Sequence, residues 1–342
     1  MTFSIAIPVH NGEKYLAATL ASALNQKRRA DEILAVDDAS TDRSASILQS
    51  PEWAGKVRYI FNEHPTGFAD AWNRVARYAK SDFVTILHQD DILDPEYLAH
   101  IEGALLSHQE CRHIYTGYYY IDAAGKRLSE SPAPHSLTPV ARSGKEYAHR
   151  YLEGVIRNRH IHRCPGTTTS RKLLVETCSY RKEAGLIADD DFFLRVGQFT
   201  DVVEISQPLA SFRQHADSAT ARLESLSRRL AKDYLFQSKE YQPRPSFLAD
   251  SDIALIHGQA VRFINSFFLE SILKEDFEWL EEAEMLRREC ESLIGESFYK
   301  RSSAGSRELW WIARNMHRGT RSFSYLSAVL RTMMKWKNRL IA

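Results

Sequence analysis

The sequence predicts an α/β fold, a mostly parallel sheet flanked by helices, followed by a C-terminal α-helical appendage. Three observations carry this. Short apolar runs rich in β-branched residues alternate with helical patterns through the first ninety residues, the mark of βαβ units. After about residue 222 the strand signals stop and helical periodicity takes over. The chain has 342 residues, 44% hydrophobic and 26% charged, an ordinary globular composition that can bury a real core. At ~150 residues per domain this length suggests two domains, or one with an appendage.

"FSIAIPV" (3–9) reads as a buried strand and "NGEKYLAATLASALNQ" as a helix with Leu16, Leu20, Ala23 and Leu24 on one face. "DEILAVDDAS" (31–40) is a second strand. The helix after it has Ser40 or Thr41 as its expected N-cap. "VRYIFN" (57–62) is a third strand. "GFADAWNRVARYAKS" (67–81) is a helix expected to turn Ala71, Val75 and Tyr78 inward, with Gly67 allowing a tight entry. "DFVTILHQDD" is a fourth strand, and "HIYTGYYYIDAAGKRL" (113–128) a strand, a turn at Ala124–Gly125 and a continuation. "SPAPHSLTP" (131–139) reads as a surface loop. "ADDDFFLRV" opens an amphipathic helix, and "VVEISQPLASFRQHADSAT" (202–220) is a strand running into a polar loop.

Composition removes several function classes. A net charge of +1 provides no global field for nucleic acid. Four dispersed cysteines without a C-x-x-C fit free thiols in a reducing compartment, not a disulfide framework or zinc site. No signal peptide is expected before "TFSIAIPVHN", and no apolar run reaches the ~18 residues of a membrane span.

Ligands of open α/β sheets bind beyond the carboxyl ends of the strands. Asp37, Asp38, Asp90 and Asp91 all fall at such ends. Adjacent carboxylates repel and raise each other's pKa unless a cation or hydrogen-bond donors intervene. A turn and helix cap would explain one pair; a shared site holding a divalent cation explains both. One Asp would suffice to cap the helix after Leu186, yet Asp189, Asp190 and Asp191 stand there in a row.

The ordered set "IAIPVHNGEKYL", "ILAVDDASTD", "NEHPTGFADAWNRVARYAKSDFVTILHQDD", "CPGTTTSRKLL", "ADDDFFLRV" and "FRQH" resembles family 2 glycosyltransferases with the Rossmann-like GT-A fold, over about residues 1–220. The resemblance implies a catalytic domain at 1–221, binding a nucleotide-sugar donor through 1–125 and carrying the acceptor and base region in 126–221. It implies that Asp38, or Asp37 beside it, recognises uracil, with Pro8, His10 and Asn11 lining base and ribose. "HQDD" falls on the metal-binding D-x-D-D stretch, with His88 in place of the first Asp. Asp91 then ligates the metal while Asp90 holds the ribose, or both contact the ion, Mn²⁺ or Mg²⁺. Asp189 is the implied catalytic base, Ala188 replacing the family's Glu, with Asp190 and Asp191 as alternatives in a shifted register. "FRQH" would bring His215 to the diphosphate or metal, with Arg213 in support. Asn73 matches a recurring Asn, whereas Trp72 stands where many members carry Arg.

The implied reaction is inverting transfer from a UDP-sugar to a glycan or lipid-linked acceptor, in surface-polysaccharide synthesis. A sugar nucleotidyltransferase is the first rival, but it should carry a Gly-rich phosphate loop, and "PVHNGEKY" has one Gly and one Lys. A non-catalytic, glycosyltransferase-like binder is the second, motivated by His88 and Ala188. The region 222–342 reads as helices. Its tail sets Leu326, Val329, Leu330 and Met333 against Arg331, Lys335, Lys337 and Arg339. Such a helix docks on its own protein or lies on an anionic membrane surface, which would make the chain cytoplasmic or peripheral on the cytoplasmic face. The oligomeric state is left open.

Overall fold

The computed structural model describes residues 1–132, 136, 138–218, 223–302 and 327. The chain divides into two compact units, Met1–Arg222 with Ser246–Leu248, and Leu223–Pro245 with Ala249–Ala342.

The first unit is built on a ten-stranded sheet. Strand β1 (Phe3–Val9) is buried on both faces, as a near-continuous apolar run should be in a parallel sheet. It pairs in parallel with β2 (Glu32–Asp38) on one side and β4 (Phe83–Ile86) on the other, and β2 pairs in parallel with β3 (Arg58–Asn62). The carboxyl ends of all four strands therefore share one edge, which is what positions the site. Helices α1 (Leu16–Leu24), α2 (Ser44–Leu48) and α3 (Phe68–Tyr78) connect them. Phe3, Ile5, Ile7, Leu16, Leu20, Ile33 and Leu98 share one buried cluster, and each such side chain contributes roughly 1.5–3 kcal/mol on leaving water.

Beyond β4 the sheet turns mixed. After the short β5 (Ile92–Leu93) and helix α4 (Tyr97–Ser107), β6 (His113–Ile121) and β10 (Val202–Arg213) run parallel to each other. Strand β9 (Thr167–Ser170) lies antiparallel between β4 and β6. Strand β7 (Arg127–Glu130) makes the expected hairpin with β6, and β8 (Val140–Arg142) pairs with β10. Helix α5 (Gly144–Ile156) starts at the Ser143 cap, which accepts the Glu146 N–H. It packs on α6 (Ala188–Val196) through a glycine pair: a Cβ on Gly144 would lie 1.9 Å from the Gly197 carbonyl oxygen. Only hydrogen at that position allows this approach, and it fixes where α6 carries its acids.

Three local expectations are corrected. Helix α2 begins at Ser44, so neither Ser40 nor Thr41 caps it; Asp42 Oδ1 accepts the Ser44 N–H instead. Strand β4 ends at Ile86, leaving 87–91 outside the regular strand. In α3 the inward face is Ala69, Asn73, Val75 and Ala76, while Tyr78 is exposed and Ala71 half-buried. Gly67 does adopt φ +82 at the entry to α3.

The second unit is helical where described: α7 (Leu226–Glu240), α8 (Asp250–Lys274), α9 (Phe277–Ile294) and α10 (Glu296–Ser302). Ser225 and Asp276 cap α7 and α9 by accepting the N–H groups of Arg228 and Trp279. Ile256, Ala260, Val261, Ile264, Phe267 and Phe268 are buried along α8. Among the described residues no helix is long and apolar enough to cross a membrane. The basic tail, apart from residue 327, and residues 133–135 and 137 of the 131–139 loop lie outside the described residues.

Candidate active site

Three groups of polar side chains gather on the carboxyl edge. The first closes β1 and β2. The His10 Nδ1–H donates to the Asp38 carbonyl at 2.7 Å, which leaves Nε2 to accept from the Asn11 amide at 3.2 Å. Asn11 and Ala39 both sit at positive φ, +53 and +59, a conformation that Asn tolerates better than most residues. The Asn11 carbonyl accepts the Thr41 N–H, and the Gln89 amide clasps the His10 backbone from both sides. Pro8, His10, Asn11, Asp37 and Asp38 thus stand together as the sequence suggests. Asp38 is more heavily engaged than expected. Its carboxylate accepts from the Thr66 N–H (2.7 Å), the Thr66 hydroxyl, the Asn62 amide and Arg74 Nη1 (3.0 Å). Asp37 accepts from the Ser40 N–H and, at 3.4 Å, the Tyr59 hydroxyl.

The second group follows β4. Asp91 is 1% exposed. Its Oδ1 accepts the Arg213 N–H at 2.8 Å, while Oδ2 is buried and unpartnered. Burial first, then the Asp90 charge, holds its carboxyl well above the ordinary range. His88, Asp90 and Asp91 can bring one ligand atom each within 4.8 Å of one another, and His88 Nδ1 lies 3.8 Å from Asp91 Oδ2. A divalent cation fits this set: it would satisfy the orphaned oxygen and relieve the repulsion. The expected ligand His215 does not join the cluster. Its Nε2 lies 3.0 Å from Asp90 Oδ2, and its ring packs on Tyr15. Arg213 is a brace. Its guanidinium donates to the carbonyls of Asp90, Asp122 and Ala123 and stacks over Tyr15.

The third group opens α6, where three successive acids have three different environments. Asp191 is fully buried and bonded to both Arg181 and Arg195. It is an ion-pair hub, with both carboxylate oxygens engaged. Asp190 accepts the Tyr151 hydroxyl at 2.5 Å, with His160 Nδ1 3.9 Å away. Among the described residues Asp189 makes no ion pair of this kind, and burial together with the neighbouring Asp190 raises its pKa to about 7.

Arg163 and Cys164 link the second and third groups. Cys164 Sγ is 4.0 Å from Asp189 Oδ2, and burial, then Asp189 and Asp91, push its thiol pKa up. The Arg163 charge favours the ionised forms of both Asp91 and Asp189. On α3, Trp72 stacks on His88 with centroids 5.4 Å apart, and Asn73 exchanges two hydrogen bonds with the Tyr180 backbone. Sequence reasoning missed Arg74 and Arg163, gave Trp72 no contact, and treated His88 as a departure. A histidine two residues before a carboxylate pair was the one available signal.

Residues 4–162 match the family described as glycosyl transferase family 2. Among curated relatives, the chain is 30% identical over 137 residues to a putative teichuronic acid biosynthesis glycosyltransferase, TuaG, of Bacillus subtilis, covering 40% of this chain and 54% of that protein. It is 32% identical over 139 residues to an uncharacterised glycosyltransferase of Rickettsia conorii, covering 40% of this chain and 22% of that one. The chain thus spans from about a fifth to about half of the length of these relatives. The fold is similar to that of S. aureus TarS 1-349 in complex with UDP, with a TM-score of 0.65 and 17% identity over 98% of this chain and 92% of that one. It is also similar to TarS 1-349 in complex with UDP-GlcNAc, with a TM-score of 0.63 and 16% identity over 90% and 88%.

Proposed function

We propose, from the match of residues 4–162 to the family 2 glycosyltransferases, that the chain transfers a sugar from a UDP-sugar to a hydroxyl of a glycan or lipid-linked acceptor, with inversion, in the synthesis of a cell-surface glycan. One observation carries the reading: Asp91 after β4 and Asp189 on α6 both feel the Arg163 charge and both act on Cys164, whose Sγ lies 4.0 Å from Asp189 Oδ2. Donor and base chemistry then share one cleft. The TarS complexes with UDP and UDP-GlcNAc support a UDP-sugar as donor.

Each residue has a task in this reading. His10, Asn11 and Pro8 line the nucleoside, and Asp38 or Asp37 accepts the uracil N3–H. At Asp38 the base has to displace one of the Asn62 or Thr66 donors, because a carboxylate offers about four acceptor sites. His88, Asp90 and Asp91 would hold a divalent cation, which would supply positive charge against the departing diphosphate. Arg213 and His215 fix Asp90 and Asp91. Asp189 takes the proton from the acceptor hydroxyl as that oxygen attacks the anomeric carbon, and direct displacement inverts the centre. A base whose pKa lies near working pH combines a large ionised fraction with useful basicity.

The basic segment 324–342 supports a place at an anionic membrane face. The experiment is a calorimetric screen of nucleotide sugars with and without Mn²⁺. Metal-dependent binding of UDP-sugars followed by UDP release is expected. Pyrophosphate-dependent synthesis of a nucleotide sugar would replace this reading with a nucleotidyltransferase, and binding without turnover would make the chain a binder.

A further inference from the structure

Resting on the reading just given, we propose that His88 is the residue that sets which cation this site takes, and that its imidazole makes the site favour a first-row transition cation over magnesium. His88, Asp90 and Asp91 come from one short segment after β4, and their ligand atoms close to within 4.8 Å. Asp91 is 1% exposed with an unpartnered Oδ2, and the imidazole atom that faces it is His88 Nδ1, 3.8 Å away. The other carboxylate oxygen, Oδ1, is held by the Arg213 N–H, so Oδ2 is the atom left to bind. A coordinated cation satisfies this oxygen and an imidazole nitrogen together.

The imidazole is also held in place. The Trp72 ring lies over it at 5.4 Å and 13°. Trp72 in turn is wedged by Phe68 and Tyr180. A stacked ring keeps one plane, so its nitrogens keep one set of directions. His215 bonds to Asp90 Oδ2 and packs on Tyr15, so it steadies a ligand from outside.

Donor chemistry gives the consequence. Magnesium takes oxygen ligands in near-ideal octahedra, and it binds through one or two carboxylates and substrate phosphates. An imidazole nitrogen adds affinity for later first-row cations along the series from manganese to copper. Two carboxylates plus one imidazole therefore accept manganese or cobalt better than magnesium, and an aspartate at position 88 would remove that bias.

The test is pulsed electron paramagnetic resonance of the full chain with Mn²⁺ and UDP, paired with calorimetry of Mn²⁺ and Mg²⁺. The wild type should show nitrogen coupling to the bound ion. The coupling should persist in His215→Gln and vanish in both His88→Asp and His88→Asn. In His88→Asp the preference for Mn²⁺ over Mg²⁺ should fall at least about tenfold, the scale of a change in a metal's ligand surroundings. Bound Mn²⁺ without nitrogen coupling, or coupling lost only in His215→Gln, overturns the inference while the transferase reading stands. If the wild type binds UDP but no Mn²⁺, the cation site itself is refuted and this inference with it.

Discussion

Asp189 and Asp191 lie two residues apart on α6, yet one sits beside Cys164 with a pKa near 7 and the other is locked between Arg181 and Arg195. The difference decides what each substitution does. Asp189→Asn should lower kcat by about two orders of magnitude or more and leave donor affinity nearly unchanged, because a base acts on a proton that is lost only along the reaction path. The wild-type rate should rise with pH through about 7 as Asp189 ionises. Stability should move the other way. The folded-state pKa of Asp189 lies above its ordinary value of 3.8, so the unfolded chain gives up this proton first. Wild-type stability then falls as pH rises from about 4 to about 7, and Asp189→Asn should flatten that slope in thermal melts. Asp191→Asn leaves two guanidinium groups with a weakened partner, and it should cost about 3 kcal/mol in denaturant unfolding. The folded fraction should keep near-normal donor affinity. Unchanged stability would show that the ion pair carries no weight.

At the scale of elements, the parts legible in the sequence were those with local signals. The first four strands announced themselves by buried apolar runs, and α6 by its apolar face. The places that misled involved competition between neighbours. The carboxylate of Asp42 outcompetes the hydroxyls of Ser40 and Thr41 for the start of α2. The inward face of α3 is set by Asn73 bonding to Tyr180, 107 residues away, which turns Tyr78 outward. The glycine contact between α5 and α6 was invisible for the same reason. It supplies a test: Gly144→Ala should destabilise the first unit by about 1–3 kcal/mol through overpacking. By shifting α6 it should lower kcat more than it weakens UDP binding. Equal losses in both would mean that α6 does not position the base alone.

At the scale of the molecule, motif order carried the resemblance to family 2 glycosyltransferases, because paired acids recur at the ends of successive strands. The wiring of the site stayed hidden. Arg74 meets Asp38 across 36 residues and Arg213 meets Asp91 across 122, and no local period encodes such pairs. His88 is hidden for a related cause: compared with the D-x-D-D pattern it is a loss, and the sequence does not show that its ring lies close enough to Asp90 and Asp91 to offer a ligand atom beside theirs. Truncation after residue 318 should leave transfer to a water-soluble acceptor intact while weakening association with anionic vesicles. Attraction of ~1 kcal/mol per basic residue near the surface should fade with salt. A full-length chain that ignores such vesicles at low salt would assign the tail a structural role.

The most direct test of the central claim is single-turnover release of UDP from a bound UDP-sugar, with acceptor and Mn²⁺, by wild type and Asp189→Asn side by side. The account predicts release by the wild type on a profile rising through about pH 7. It predicts release slower by about a hundredfold or more in the variant at equal donor occupancy. Equal rates in the two proteins would contradict it and move the base away from α6.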